Sequence, residues 1–301
     1  MKNYKVTLFT PAYNRANTLP RLFECVKNQT YNNIEWIIVD DGSADNTKEV
    51  VENFIAENPN FPLIYKYQTN HGKHIATNVA VEMATGDFFI TIDSDDTFKA
   101  NAIEVFLQEW DKIPDSDKPK YKGISCRTCD LKENVNGQPL PTSPLDCTDL
   151  DLRMIHKVEG ELWGMTRMDV IKEFPYPQIE GLHFYPENIH WNTVGRKYKT
   201  RFVDVPLRYY INDTDNALTN KTTTISKETY FMRVHFINDC WDYFKYDRKY
   251  FLKQLVGLTR DGLYSKKTLG DILKTPNTFG KKFLTLLAMP LGCVLYYKNK
   301  G

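Results

Sequence analysis

Short apolar runs and amphipathic stretches alternate along the first third of the chain. Val6 to Thr10, Ile34 to Val39, Leu63 to Tyr67 and Asp87 to Ile92 are dominated by β-branched, aromatic and other apolar residues and read as strands. Between them, Asn17 to Gln29, Asp45 to Glu57 and a segment ending near Ala84-Thr85-Gly86 read as helices. Asn17 is the expected N-cap of the first, with Pro20 in its opening turn. The repeat of roughly 25 to 30 residues through residue 112 is the rhythm of βαβ units in a parallel, doubly wound layer with right-handed crossovers.

Beyond Pro114 the rhythm breaks. Pro119, Gly137, Pro139, Pro141 and Pro144 punctuate a polar stretch that predicts strand pieces joined by long loops. Val158 to Arg167 reads as a strand crossing Gly160 and Gly164, Asp169 to Phe174 as a short helix, and Tyr198 to Tyr210 as two strand-like runs around Pro206. From Ser226, an expected N-cap, the pattern is mostly helical. The expectation is an α/β body over residues 1–215 and a helical region over residues 216–301.

Chemistry gathers where the apolar runs end. Ile37-Ile38-Val39 empties into Asp40-Asp41-Gly42-Ser43, and Ile90-Thr91-Ile92 into Asp93-Ser94-Asp95-Asp96. In open α/β sheets ligands settle outside the carboxyl ends of the strands, so these acids are placed to touch one. Three carboxylates within four residues repel unless a cation or hydrogen-bond donors offset them, and Mg2+ or Mn2+ is the natural offset. The plain structural alternative is that Asp96 or Thr97 caps the following helix.

Net charge is only +1, which argues against a general nucleic-acid binder, but the distribution is uneven. Residues 216 to 301 hold 15 Lys and Arg against 6 Asp and Glu, leaving 24 against 32 for the body. The tail is basic and aromatic (Tyr230, Trp241, Tyr243, Phe244), and ends in an apolar stretch from Phe283 broken by Pro290 and Gly292. At about 15 residues that stretch is shorter than a spanning helix, and suits either an interfacial contact with an anionic membrane surface or packing on the body or in a homodimer. The opening Met-Lys-Asn-Tyr-Lys-Val lacks the apolar core of a secretory signal. With six cysteines, the expected setting is reducing and cytoplasmic, with free thiols, at most peripheral on the inner face of the plasma membrane. Cys126-Arg127-Thr128-Cys129 has metal or redox spacing, but no second pair accompanies it, and strand placement explains it better.

Four motifs in order resemble the inverting family 2 glycosyltransferases of the GT-A fold, of the bacterial surface-polysaccharide type. They are Thr10-Pro11-Ala12-Tyr13-Asn14-Arg15, Asp40-Asp41-Gly42-Ser43, Asn70-His71-Gly72-Lys73-His74-Ile75-Ala76-Thr77-Asn78 and Asp93-Ser94-Asp95-Asp96, within a likeness covering about residues 4 to 215. The resemblance implies a Rossmann-like mixed sheet flanked by helices, here with a C-terminal helical extension. It also implies a nucleotide-sugar donor, a UDP-sugar before others, and a glycan or lipid-linked saccharide acceptor. Pro11, Tyr13, Asp40, Asp41, Gly72, Lys73, Asn78, Asp93 and Asp95 are then the nucleotide-binding candidates. Tyr13 would stack on the base, Asp41 rather than Asp40 would accept a uracil imide hydrogen, and Lys73 with His74 would meet phosphate or base at a helix start. The family usually carries Arg where Thr77 stands.

By the same likeness Asp93 or Asp95 touches the ribose, and Asp95 or Asp96 holds a divalent metal, Mn2+ or Mg2+, on the diphosphate. The base that takes the acceptor proton begins a helix, often as Glu-Asp; here Glu187 matches, Asn188 replaces the usual Asp, and Glu180 and Asp204 compete. Trp163 and Trp191 are candidate acceptor platforms, although large aromatics are more often core. The loop carrying Asp213 and Asp215 is a candidate lid. Two other readings stand beside this one. A sugar-nucleotide pyrophosphorylase would need a Gly-rich, Arg-containing loop where Pro11-Ala12-Tyr13-Asn14 stands, and a degenerate glycan- or nucleotide-binding domain would not need Asp93-Ser94-Asp95-Asp96 intact. Processive synthases carry several spanning helices and a Gln-x-x-Arg-Trp element, neither of which is visible, so addition of a single sugar is expected.

Overall fold

The computed structural model describes residues 2–180, 182, 184–211 and 227–298. Asp213, Asp215 and Ser226 lie outside the described residues. The chain divides into two compact units, one of Met1–Ile179 with His190–Asp215, the other of Glu180–Ile189 with Asn216–Gly301.

The first unit is built on a nine-stranded mixed sheet: β1 Val6–Ala12, β2 Ile34–Asp41, β3 Leu63–Gln68, β4 Phe88–Thr91, β5 Thr97–Phe98, β6 Tyr121–Cys129, β7 Leu145–Cys147, β8 Leu162–Arg167 and β9 Lys199–Tyr209. The order is β3-β2-β1-β4-β8-β6-β9-β5, with β7 also on β9. β3, β2, β1 and β4 are parallel, as the βαβ rhythm predicts, and β8 enters antiparallel to β4. The helices are α1 Leu19–Lys27, α2 Thr47–Ala56, α3 Lys73–Met83, α4 Ala102–Asp111, α5 Asp149–Met154 and α6 Met168–Glu173, followed by α7 Glu187–Val194.

Two cores cover the two faces of the parallel strands. One takes Val6, Leu8, Trp36, Ile38, Phe88 and Ile90, covered by α1, α2 and α4; the other takes the alternate Phe9, Ile37, Val39 and Phe89, covered by α3 and α6. α1 shows the sequence logic: Leu19, Leu22, Phe23 and Val26 recur at helical spacing, all buried, and Phe23 stacks on Phe54 of α2 at 4.1 Å. Each such side chain contributes about 1.5–3 kcal/mol by leaving water. At the amino edge of the sheet, Glu35 is buried among Thr7, Thr85 and Lys5.

Three expectations need correction. Thr18, not Asn17, precedes α1, and it makes no side-chain cap bond. The Val158 end of the expected strand is a loop, because Arg153 donates to the Val158 and Gly160 carbonyls at 2.8 Å each and Gly160 takes φ +114° against Gly137. Tyr198 to Tyr210 forms one strand rather than two. Pro206, which has no N–H to give, is absorbed where the β6 register slips from Cys126↔Val203 to Arg127↔Pro206 and Thr128↔Arg208. Cys126 and Cys129 both lie buried on β6, and all six cysteines are free thiols.

The second unit packs α8 Lys227–Asp239, α9 Arg248–Tyr264, α10 Leu269–Lys274 and α11 Phe279–Lys298 around Tyr230, Ile237, Leu255, Leu258, Ile272 and Met289. Asp261, fully buried, is held between Arg233 and Arg260.

Candidate active site

The ends of β1, β2 and β4 meet on one edge because the three strands are parallel neighbours, with Ala12 paired to Asp40 and Phe9 to Thr91. Tyr13 follows β1 and is 47 % exposed, with Pro11 half-buried before it. Asn14 turns the chain at φ +53°, its N–H donating to Ser43 Oγ and its Oδ1 accepting from Ala44 N, both at 2.8 Å. The loops after β1 and β2 are therefore tied together and leave the Tyr13 ring presented to solvent.

Asp40 and Asp41 have different tasks. Asp40 is buried and accepts from Ser43 N at 2.8 Å and from the Tyr65 hydroxyl at 2.7 Å, which fixes its own turn. Asp41 accepts from Gln68 Nε2 at 2.7 Å, His71 N at 2.9 Å and Gly72 N at 2.8 Å, so it organises the start of α3. Gly72, at φ +91°, makes the turn that lets those two N–H groups converge. A carboxylate offers about four lone-pair sites, so Asp41 keeps room for about one more donor.

The acidic loop is held by four cations from distant parts of the chain. Lys73 Nζ bonds Asp93 Oδ1 at 2.7 Å, and Arg208 of β9 reaches Asp93 Oδ2 at 2.8 Å and grips Asp96 through Nε at 2.6 Å and its terminal nitrogen. Arg15 donates to Ser94 Oγ at 3.0 Å and lies 3.6 Å from Asp95 Oδ2, while Arg21 donates to the Asp95 carbonyl. β5 explains the convergence: Thr97 and Phe98, just after the acids, pair with Tyr209 and Arg208, stapling the loop beside the arginine.

These contacts set the charge states. Burial pushes the Asp93 carboxyl up, but Lys73 and Arg208 outweigh it and hold Asp93 well below the usual carboxylate range. Asp96, 2 % exposed, is pushed up to about 6 by burial; Arg208 and the Ile211 N–H, 2.8 Å from Oδ1, offset only part of that.

The predicted site residues therefore separate. Tyr13, Asp41, Gly72, Lys73, Asp93 and Asp95 come together at one edge, although Lys73 here neutralises Asp93. Asp96, expected with Asp95 as a metal ligand, instead has both oxygens occupied by Arg208 and Ile211. Asn78 bonds the Tyr176 backbone in both directions, at 2.8 and 2.9 Å, and so fastens α3 to the segment after α6. Trp163 is core rather than platform: its ring is buried against Phe98 and Phe106, and Nε1 donates to the Thr91 carbonyl at 2.7 Å. One face of Trp191 is covered by the Lys122 ammonium, 4.0 Å from the ring centre. In the second unit, Glu187 is the first residue of α7, and Asn188 Nδ2 donates to Met232 Sδ of α8 at 3.2 Å. Arg208 and Arg15 are site residues that sequence reading missed. Arg15 stands at the end of the first strand-end motif, whereas Arg208 gives no local signal.

Among the described residues no group of three or more His, Cys, Asp or Glu side chains is arranged to hold a metal unaided. The donor set nonetheless fits an ion shared with a diphosphate, because Mg2+ and Mn2+ sites commonly use one or two carboxylates plus phosphate oxygens, and Asp95 is 16 % exposed beside an ionised Asp93.

Comparison with known proteins bears on this edge. The model of glycosyl transferase family 2 matches residues 7–123, which contain all four strand-end motifs. The chain is similar to the chondroitin synthase of Pasteurella multocida, 38% identical over 105 residues that make up 35% of this chain and 11% of that protein. It spans well under two thirds of the length of the first curated relatives it matches. In fold it is similar to S. aureus TarS 1-349 in complex with UDP-GlcNAc, with TM-score 0.67 and 16% identity over 97% of this chain and 89% of that one. It is also similar to the mannosyltransferase PcManGT of Pyrobaculum calidifontis in complex with GDP-Man and Mn2+, with TM-score 0.51 and 15% identity over 100% and 89%.

Proposed function

We propose, from the premise that residues 7–123 of this chain form a family 2 glycosyltransferase domain on a GT-A-type fold, that the protein moves one sugar from a nucleotide-diphosphate donor to a hydroxyl of a glycan or lipid-linked saccharide. The observation that carries the reading is Asp41. A buried carboxylate whose other sites orient the start of α3 keeps about one acceptor site at the sheet edge, beside an exposed aromatic ring. One site suits the single imide N–H of uracil or thymine better than the paired N–H groups of guanine, and between the two pyrimidines the likeness to family 2 favours a UDP-sugar. Tyr13 stacks on the base, with Pro11 beside it. The UDP-GlcNAc and GDP-Man bound by the two structural neighbours are donors of the same class.

Asp95, with the donor diphosphate, would hold Mn2+ or Mg2+; the mannosyltransferase neighbour is itself in complex with Mn2+. The ion would neutralise charge on the departing nucleoside diphosphate. Asp93, kept ionised by Lys73 and Arg208, accepts from the ribose. Glu187 takes the proton of the acceptor hydroxyl as that oxygen bonds the anomeric carbon. The bond from this carbon to the donor phosphate oxygen breaks, its electron pair leaves with the nucleoside diphosphate, and attack from the opposite face inverts the configuration. The setting is bacterial surface-polysaccharide synthesis on the cytoplasmic side of the membrane.

The test is a panel of UDP-, GDP- and dTDP-sugars with saccharide acceptors, with Mn2+, Mg2+ or chelator, followed by NMR of the product's anomeric proton. Metal-dependent release of UDP with inversion is the expected result. Retention of configuration, or preference for a GDP-sugar, would contradict the roles given to Glu187 and Asp41 respectively.

A further inference from the structure

α11 carries an apolar stripe that the rest of its unit leaves uncovered. Phe279, Phe283, Leu287, Leu291, Val294 and Tyr297 recur at helical spacing and are all exposed, Phe279 by 85 % and Leu287 by 62 %. The opposite face is occupied. Thr285, Met289 and Gly292 are buried, and a Cβ at Gly292 would lie 2.5 Å from Thr259 Cβ and 2.7 Å from the Val256 carbonyl, so α11 lies directly on α9. α11 runs through Pro290 and Gly292 without a break, contrary to the interrupted stretch expected, and at 20 residues it is long enough to cross a bilayer, yet only one of its faces is available to lipid. A helix apolar on one free side and docked on the other lies in an interface plane rather than across it.

Charge selects the occupant. From Ile272 to the end of the chain the sequence has five lysines and no acidic residue. Lys274 precedes the stripe, Lys282 sits in its first turn and Lys298 closes it. A second copy of the chain packed face to face would bring lysines together with no carboxylate from this segment to offset them. An anionic bilayer surface offsets them directly.

We propose that α11 docks the protein on anionic membrane surfaces, its apolar stripe entering the headgroup boundary and its terminal lysines meeting lipid phosphates. The inference rests on α11 and not on the transferase reading, so either can fail alone. The test is flotation of the full chain with vesicles of phosphatidylcholine alone or with one-third phosphatidylglycerol, comparing wild type, Leu287→Glu/Leu291→Glu and Lys282→Glu/Lys298→Glu. Because Leu287 and Leu291 are exposed, the first variant should keep the wild-type thermal melt. The expected result is binding to phosphatidylglycerol vesicles that falls at least tenfold in each variant and weakens with added salt. Equal binding by all three proteins would overturn the proposal. So would a wild type that ignores vesicles but forms a dimer lost in Leu287→Glu/Leu291→Glu.

Discussion

Arg208→Met is the substitution whose cost the geometry states most plainly. Asp96 is 2 % exposed and would keep the Ile211 N–H but lose both guanidinium contacts, while Asp93 would keep Lys73. Removing one partner of a buried ion pair costs about 3–5 kcal/mol, because the remaining charge stays buried. For a unit of this size that lowers Tm by roughly 6–20 °C. The pH dependence has a definite sign. In the wild type, burial raises the Asp96 carboxyl from 3.8 to about 6. A raised carboxyl contributes stability that is fully present below the unfolded value and lost as pH rises through about 6. Without Arg208 the carboxyl climbs further, so the loss extends to higher pH and the variant's deficit is larger near about pH 8 than near about pH 5. Thermal melts of wild type, Arg208→Met, Asp96→Asn and the double variant at both pH values measure this, and the double variant should recover part of the loss because the uncompensated charge is gone. A Tm for Arg208→Met within about 2 °C of wild type at both pH values would refute the reasoning.

Other consequences are simpler. Tyr13→Ala should raise the donor KM roughly fivefold or more, since a stacked base is worth about 1–3 kcal/mol, and should leave Tm unchanged because the ring is exposed. Asp41→Asn retains one carbonyl oxygen for three donors, so it should lower Tm by roughly 2–12 °C through about 1–3 kcal/mol of unsatisfied N–H groups, with donor affinity falling alongside. Glu35 should contribute to the acid limb of stability. Burial raises its carboxyl, but Lys5, Thr7 and Thr85 outweigh that and lower it to about 2, so its contribution, present above the ordinary 4.5, is lost as pH falls through about 2. Glu35→Gln should flatten that limb in an acid titration of stability.

The chain declares some of this in local pattern and conceals the rest in long-range pairing. β1 to β4 and their crossovers are readable because each strand carries a dense apolar run and each helix repeats its apolar residues at helical spacing. Asp40, Asp41 and Asp93 to Asp96 are readable because they end those runs. Arg208 is not. It lies 112 residues from Asp96, on a strand whose register slips at Pro206, and it reaches the acids only because the two residues of β5 pair with β9. The same long-range pairing separates Asp96 from Asp95: adjacent in sequence, one is buried in an ion pair while the other remains partly exposed. Trp163 misleads for a related reason, since a tryptophan can serve a sugar ring as a platform or fill a core, and here its ring packs against Phe98 and Phe106, which lie far away in sequence. Val158 to Glu161 looks like strand by composition, but Arg153 captures its carbonyls first.

The chain is proposed to transfer a sugar from a nucleotide-diphosphate donor, with Glu187 as base and with the help of a divalent ion. The most direct measurement is acceptor-dependent release of nucleoside diphosphate from the best donor with Mn2+ present, for wild type, Asp95→Asn and Glu187→Gln. Turnover in the wild type should fall about a hundredfold or more in each variant, with Glu187→Gln losing kcat at little changed donor KM. Wild-type turnover in both variants would contradict that mechanism.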